Sequence, residues 1–290
     1  MLINALASLS QMGQPLLLVL GGIVMNFQSI KNMYFSPTGG TKKVTTLLSQ
    51  CFSLPMDEID FSSPSFLNQA PDKLSFSPET LCIIGVPSFG GRVPAIALQN
   101  LSTLKGEQAP VILVVSYGNR DFEDTLLELR NQLTAQGFHC IAGISAVTQH
   151  SIMNQYGNGR PDSSDEQMLQ AFMEQLKSSL ASISTPKELP FVDVPGNFPY
   201  RQYGVIPMYP QTSLACNGCG LCSKQCPVQA IPKESPNKTD TSRCISCMRC
   251  ISICPNHARA CDPLMLTAVS EKLKPVCSTR KENQFFFSNI

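Results

Sequence analysis

Eight of the 13 cysteines in this chain fall in two runs that share one spacing. Each run has the form C-x2-C-x2-C-x3-C-P. The members are Cys216, Cys219, Cys222 and Cys226 in the first run, and Cys244, Cys247, Cys250 and Cys254 in the second. Thiolate ligands at this spacing are typical of proteins that hold [4Fe-4S] clusters. The two runs therefore predict a metal-binding module with two such clusters.

The spacing also predicts which cysteines share a cluster. In paired clusters of this type, the fourth cysteine of each run binds the cluster of the other run. One ligand set is then Cys216, Cys219, Cys222 and Cys254, and the other is Cys244, Cys247, Cys250 and Cys226. Between residues 211 and 262 there are six lysines and arginines but only three acidic residues. Nearby positive charge favours the reduced, more negative state of a cluster.

Zinc and disulfides are the alternative uses of these cysteines. Two C-x2-C pairs can form a four-thiolate zinc site, and dense cysteines in secreted chains form disulfides. A zinc site requires neither the third cysteine nor the Cys-Pro ending of each run, so clusters are favoured and disulfides are the weakest alternative. The five remaining cysteines, which show no motif spacing, are Cys51, Cys82, Cys140, Cys261 and Cys277.

A loop rich in hydroxyls and glycine, S-P-T-G-G-T from Ser36 to Thr41, links a predicted strand to a predicted helix. Free backbone amides and the positive end of the helix dipole can bind a phosphate at such a junction. The glycines allow close backbone approach, and the hydroxyls can donate hydrogen bonds. The loop lacks the G-x-x-x-x-G-K pattern, which disfavours a nucleoside triphosphate. A turn that only caps the helix is the alternative.

Two further loops follow predicted strands, P-S-F-G-G-R-V-P at 87–94 and S-Y-G-N-R-D at 116–121. Each offers one aromatic residue, Phe89 and Tyr117, that could flank a flat ring, with surface packing as the alternative role. In open α/β sheets ligands bind at the carboxyl ends of the strands. The three loops together therefore predict a ligand site at one edge of a sheet.

The elements that position these loops alternate short apolar runs with amphipathic stretches. We predict strands at 30–35, 56–61, 81–86, 111–116 and 139–147. Helices are expected at 41–51, 93–101, 121–136 and 164–183. This order predicts an α/β fold with a doubly wound parallel sheet of five strands.

Beyond that sheet the chain divides by composition. We assign 29–184 to the α/β domain, 185–207 to a proline-rich linker, 208–262 to the cysteine module, and 263–290 to a C-terminal helix and tail. Residues 1–28 form an apolar extension whose run from 15 to 25 is too short to span a bilayer. No lysine or arginine precedes that run, so export is disfavoured, and we expect translation to start at Met25.

The overall composition is that of an ordinary globular protein. The chain has 290 residues, 43% of them hydrophobic and 15% charged, and its net charge is +1. This balance gives no basic excess, so nucleic-acid binding is not expected. We expect a cytoplasmic protein without stable membrane insertion.

The loops and the cysteine runs resemble those of a known family. S-P-T-G-G-T is similar to the phosphate loop of flavodoxins, and P-S-F-G-G-R-V-P resembles their second flavin-contacting loop. Together with Y-G-N-R and the cysteine runs, residues 30–261 resemble flavodoxin-ferredoxin fusion proteins of the EFR-type ferredoxin family. The resemblance implies a flavodoxin-like domain followed by a small α+β 2[4Fe-4S] ferredoxin-like domain.

The same resemblance implies bound FMN. Its phosphate would contact Ser36, Thr38, Gly39, Gly40 and Thr41, and its ring would lie near Phe89, Gly90, Tyr117 and Gly118. The implied function is an electron relay between FMN, the two clusters and redox partner proteins. A flavin-dependent reductase of a small substrate and a non-catalytic, metal-stabilised binding module are the alternatives. His139, His150 and His257 stand in no triad or metal-ligand spacing, so packing or solvent roles are expected for them.

Overall fold

The computed structural model describes residues 27–68, 74–183, 188–204 and 207–288. The predicted start site at Met25 and nearly all of the N-terminal extension lie outside these residues. Within the described ranges, no helix combines the length and the apolar character needed to cross a membrane.

Six strands form the main sheet, in the order β2-β1-β3-β4-β5-β8. Their bounds are β1 Ser29–Tyr34, β2 Met56–Asp60, β3 Thr80–Pro87, β4 Pro110–Tyr117, β5 His139–Val147 and β8 Gln284–Phe287. The first five are parallel, and β8 pairs antiparallel with β5. The order 2-1-3-4-5 is that of flavodoxin-like doubly wound sheets. The predicted fold class is confirmed, and the C-terminal tail adds a sixth strand.

Four helices cover the two faces of this sheet, namely α1 Gly40–Gln50, α2 Ala95–Leu101, α3 Thr125–Ala135 and α4 Ser163–Leu180. Strands β3 and β4 are almost entirely apolar because both of their faces are buried. Two apolar cores result, one under α2 and α3 and one under α1 and α4. A single turn of 3-10 helix, Phe66–Asn68, follows β2.

The cysteine module contains two short helices and a two-stranded ribbon. The helices are α5 Leu221–Lys224 and α6 Arg249–Ser252, and the ribbon pairs β6 Gln211–Thr212 with β7 Arg259–Ala260. The two cysteine runs have the same backbone path. Left-handed residues occur at equivalent places in both, as the pairs Gly218 and Ser246, Gly220 and Met248, and Gln229 and His257.

A connecting segment joins the α/β domain to the cysteine module. Its described part, 188–204, packs against the α/β domain. Leu189, Val192 and Val194 are buried, and the Val192 amide donates to the Cys140 carbonyl at 2.9 Å. The carboxylate of Asp124 accepts from the backbone amides of Asn197 and Arg201. Much of the proline-rich segment is therefore part of the domain surface.

After the cysteine module the chain returns to the α/β domain. Helix α7, Pro263–Cys277, packs on Met153 and Tyr156, and Phe285 of β8 stacks on Phe172 with ring centroids 4.7 Å apart. The module is thus attached to the first domain at both of its ends. A module held at two points has much less orientational freedom than one on a single linker.

Asn119, in the loop after β4, ties this returning segment to the sheet edge. It is buried, its amide nitrogen donates to the carbonyls of Cys277 (2.6 Å) and Thr279 (2.9 Å), and its amide oxygen accepts from Lys281 N (3.0 Å). We expect Asn119→Ala to lower the free energy of unfolding by about 2–3 kcal/mol, because several buried hydrogen bonds are lost together.

Urea unfolding of the loaded protein checks this expectation. Asn119→Gly is the matched comparison, since it removes the same side-chain hydrogen bonds while glycine tolerates the left-handed backbone at this position, φ +62°. Equal stabilities of the alanine variant and the unmodified chain would show that these contacts do not anchor the segment.

Candidate functional site

The structure brings the eight motif cysteines together as two groups of four. One small cavity is lined by Cys216, Cys219, Cys222 and Cys254. A second is lined by Cys226, Cys244, Cys247 and Cys250. These groups, called the outer and the inner cysteine set below, have the same members as the two ligand sets that the spacing predicts.

Backbone amides are directed at the sulfur atoms in the same way in both runs. Ala230 N donates to Cys226 Sγ at 3.2 Å, and Ala258 N donates to Cys254 Sγ at 3.3 Å. Hydrogen bonds of this type stabilise a thiolate and tune the potential of a cluster. The donor set therefore fits iron-sulfur clusters.

Burial changes the chemistry of the inner set. It raises the pKa of the Cys247 thiol to about 12 and that of Cys250 to about 12. At neutral pH these thiols hold their protons in the chain without iron, and metal binding must displace them. In the outer set, by contrast, Cys219 is exposed.

The first predicted loop lines a small cavity of about 60 Å³, called the hydroxyl-rich cavity below. Its walls include Ser36, Thr38, Gly40 and Thr41, with further hydroxyls from Ser88, Ser116, Thr148 and Ser151. Gly39 precedes helix α1 in a left-handed conformation, φ +92°. Hydroxyls, exposed amides and a helix N-terminus form a cradle that suits a phosphate group.

A larger cavity of about 460 Å³, called the aromatic cavity below, opens beside the first. Phe89, Gly90 and Gly118 line it, as the loops predict. The two cavities share five wall residues, Ser88, Phe89, Gly118, His150 and Ser151, and thus form one cleft. A cleft with a polar end and an aromatic end fits a phosphate-bearing flat ring such as FMN.

Tyr117 lines the hydroxyl-rich cavity and not the aromatic cavity. Its ring packs against Phe122 with centroids 5.6 Å apart, and its hydroxyl donates to the Glu282 carbonyl at 3.3 Å. The aromatic cavity instead gains Tyr203 and Tyr209 from the connecting segment. No pattern around these two tyrosines points to a ligand, because they reach the cleft only through tertiary packing.

His150 is a wall residue of both cavities that sequence reasoning assigned to packing or solvent. Its Nδ1 accepts from the backbone amides of Ile152 (3.1 Å) and Met153 (3.2 Å), which leaves the proton on Nε2. Burial, followed by the charge of Arg120, lowers the pKa of His150 to about 4. A Cβ atom at Gly118 would lie 2.7 Å from the His150 ring, so this loop requires glycine. The cleft therefore contains a neutral imidazole N–H donor.

The lysine and arginine side chains that flank the first two loops interact with other protein groups and not with the cleft. Arg92 Nε donates to Glu128 at 2.8 Å, Lys42 pairs with Glu58 at 2.8 Å, and Lys43 donates to the Pro161 carbonyl. A phosphate at this end of the cleft would thus rely on hydroxyls, amides and the helix dipole.

The inner cysteine set lies directly against the cleft. Cys244 and Ile245 line both the aromatic cavity and the inner cysteine cavity, and Cys247 also lines the hydroxyl-rich cavity. Ile245 packs on the core of the α/β domain, and Met248 packs with Ile152. A cluster on the inner set would therefore be the neighbour of a ligand in the cleft.

Arg249 fixes this arrangement from the module side. Its guanidinium donates to the Ser62 hydroxyl (2.6 Å), the Asp60 carboxylate (3.1 Å) and the Gln225 side chain (3.3 Å). We expect Arg249→Met to lower the free energy of unfolding by about 2 kcal/mol, as is usual for hydrogen bonds to charged groups. Arg249→Lys, which keeps the charge opposite Asp60, should lose less.

Denaturant unfolding of both Arg249 variants, at matched iron content, measures these losses. If the methionine variant unfolds at the same denaturant concentration as the unmodified chain, Arg249 does not hold the module in place.

The fold and the cysteine sets define a flavodoxin-like α/β domain joined to an iron-sulfur module. Residues 210–255 match the family described as a 4Fe-4S dicluster domain. No curated protein sequence matches the chain significantly.

Two solved structures have similar folds over about half of the chain. One is the rubredoxin oxygen:oxidoreductase of the anaerobe Desulfovibrio gigas, at TM-score 0.39 and 14% identity, with 54% of this chain and 37% of that chain covered. The other is the flavodoxin of Streptococcus pneumonia TIGR4, at TM-score 0.35 and 16% identity, with 52% of this chain and 98% of that chain covered. The present chain thus spans little more than a third of the first protein.

Proposed function

We propose that this protein is an electron carrier that binds FMN in the cleft and one [4Fe-4S] cluster on each cysteine set. The observation that carries the proposal is the common wall of Cys244 and Ile245, shared by the aromatic cavity and the inner cysteine cavity. Because the two cofactor sites adjoin, electrons can pass between them without motion of the modules.

The residues of the cleft suit FMN from end to end. Ser36, Thr41 and Gly40 surround the phosphate position at the start of α1, while Phe89, Tyr203 and Tyr209 offer aromatic surface for the ring. The aromatic cavity, about 460 Å³, is within the range of small-molecule sites. Flavins exchange one or two electrons and each cluster exchanges one, so the pair divides a two-electron supply into single steps.

The outer cysteine set is the proposed exit to a redox partner protein. Cys219 is exposed, and two apolar side chains near it in the sequence, Leu214 and Leu221, are also exposed. Exposed apolar residues beside a redox centre favour short-lived docking of another protein. The excess of lysine and arginine in the module favours an acidic partner surface.

Cofactor counts after anaerobic purification and reconstitution test this proposal. We expect about eight iron and eight sulfide atoms per chain, as two four-iron clusters require, together with one FMN. Stoichiometric zinc without visible absorbance would contradict the cluster assignment, and selective binding of FAD would contradict the flavin assignment.

Rapid-mixing spectroscopy separates the carrier from a reductase. Reduction of the flavin should be followed by bleaching of the cluster absorbance, and then by reduction of an added acceptor protein. Clusters that stay oxidised while the flavin turns over a small substrate would support the reductase instead.

A further inference from the structure

Arg259, the first residue of β7, carries a positive charge inside the cysteine module. The residue is only 3% exposed. One guanidinium nitrogen donates to the Thr239 hydroxyl at 2.9 Å, and another donates to the carbonyls of Lys238 (3.2 Å) and Pro236. All three partners are neutral oxygen atoms.

Arg160, the other buried arginine among the described residues, has a charged partner. Arg160 forms an ion pair with the buried carboxylate of Asp165, at 2.6 Å from Nε. Among the described residues, by contrast, the hydrogen-bond acceptors of the Arg259 guanidinium are a hydroxyl and two carbonyls, and none is a carboxylate. Because removing a charge from water is costly unless an opposite charge compensates it, Arg259 requires an anionic partner.

Both cysteine sets are close to this guanidinium. Arg259 lines the outer cavity together with Cys216, Cys219, Cys222 and Cys254. It also adjoins the inner cavity, because Thr239, whose hydroxyl accepts from Arg259 at 2.9 Å, is a wall residue of that cavity.

We propose that Arg259 is the shared internal countercharge of the two clusters and makes both of them easier to reduce. The inference rests on the proposed function, because the anionic partners are the clusters with their thiolates. Each oxidised [4Fe-4S] centre with four thiolates carries a charge of about −2 and gains one more negative charge on reduction. A fixed cation stabilises the reduced state more than the oxidised state. Reduction of a bound cluster would add one electron, taken from the reduced flavin of the proposed function, and no bond would be made or broken.

Cluster reduction potentials of the reconstituted protein test the role of Arg259. We expect Arg259→Gln, which keeps hydrogen-bond donors but no charge, to disfavour reduction by about tenfold or more, equal to about 59 mV for one electron. Arg259→Lys keeps the charge and should stay near the unmodified potentials. Lys224→Gln removes an exposed lysine from the same module and should shift the potentials much less, because water and salt screen that charge.

The potentials and the cluster content of the two Arg259 variants together test the countercharge. Loading of the lysine variant but not the glutamine variant would also support the countercharge, since only the charge is retained. Unchanged potentials in Arg259→Gln, an equal shift in Arg259→Lys, or failure of both variants to load would overturn it. Absence of clusters from the unmodified chain would instead refute the proposed function.

Discussion

Replacing Cys247 by alanine should halve the iron content and isolate the flavin from the outer cluster. Cys247 belongs to the inner cysteine set and also lines the hydroxyl-rich cavity. A four-iron cluster with only three thiolates is labile, so we expect about four of about eight iron atoms to remain. The outer cluster should then stay oxidised after flavin reduction, because the inner cluster, through which its electrons would pass, is missing.

Cys219→Ala is the matched variant, since it removes one ligand of the outer set and leaves the inner set intact. It should lose the same amount of iron, yet its remaining cluster should still be reduced by the flavin. Transfer to an added acceptor protein should fail in both variants. If the two behave alike in flavin-to-cluster transfer, the order of centres drawn from the shared cavity wall is wrong.

Gly40→Val should abolish useful FMN binding without affecting the clusters. Gly40 lines the hydroxyl-rich cavity, and a Cβ atom there would lie 3.2 Å from Cβ and Oγ1 of Thr148. The two methyl groups of valine would occupy the space proposed for the phosphate. We expect at least about 100-fold weaker binding, equal to about 2.8 kcal/mol. Flavin fluorescence titration of the cluster-loaded protein measures the dissociation constant.

Gly159→Ala controls for a general loss of stability. Gly159 has φ +75° and lies outside both cavity walls, so alanine there strains the backbone without filling the cleft. FMN affinity should be retained in this variant. Full FMN binding by Gly40→Val would place the phosphate elsewhere, and equal losses of affinity in the two variants would assign the loss to lower stability rather than to a filled cleft.

Local patterns in the sequence are sufficient to predict the helices, the strands and the cysteines that could act as ligands. The helix expected at 41–51 is found at Gly40–Gln50, and the C-terminal helix expected within 263–290 runs over Pro263–Cys277. These predictions hold because burial of an apolar face and helix capping act over a few residues. The first three cysteines of each run are close together for the same reason, whereas the position of Cys226 and Cys254 beside the other run depends on how the two runs pack.

Tertiary structure alone decided what completes each site. Tyr203, His150 and Arg259 stand in no motif, and their roles arise because distant segments pack together. The three consecutive phenylalanines of β8 could not be assigned a partner from sequence, because pairing with β5 depends on the return of the chain.

The chain by itself therefore determined the class of chemistry, through thiolate spacing and through loops at the ends of strands. Only the folded structure set the cleft against the inner cysteine set and buried the guanidinium of Arg259 beside the outer set. The physical reason is the distance along the sequence over which each effect acts. Ligand spacing and helix periodicity act within one turn of backbone, whereas adjacency and burial are properties of contacts between residues far apart in the sequence.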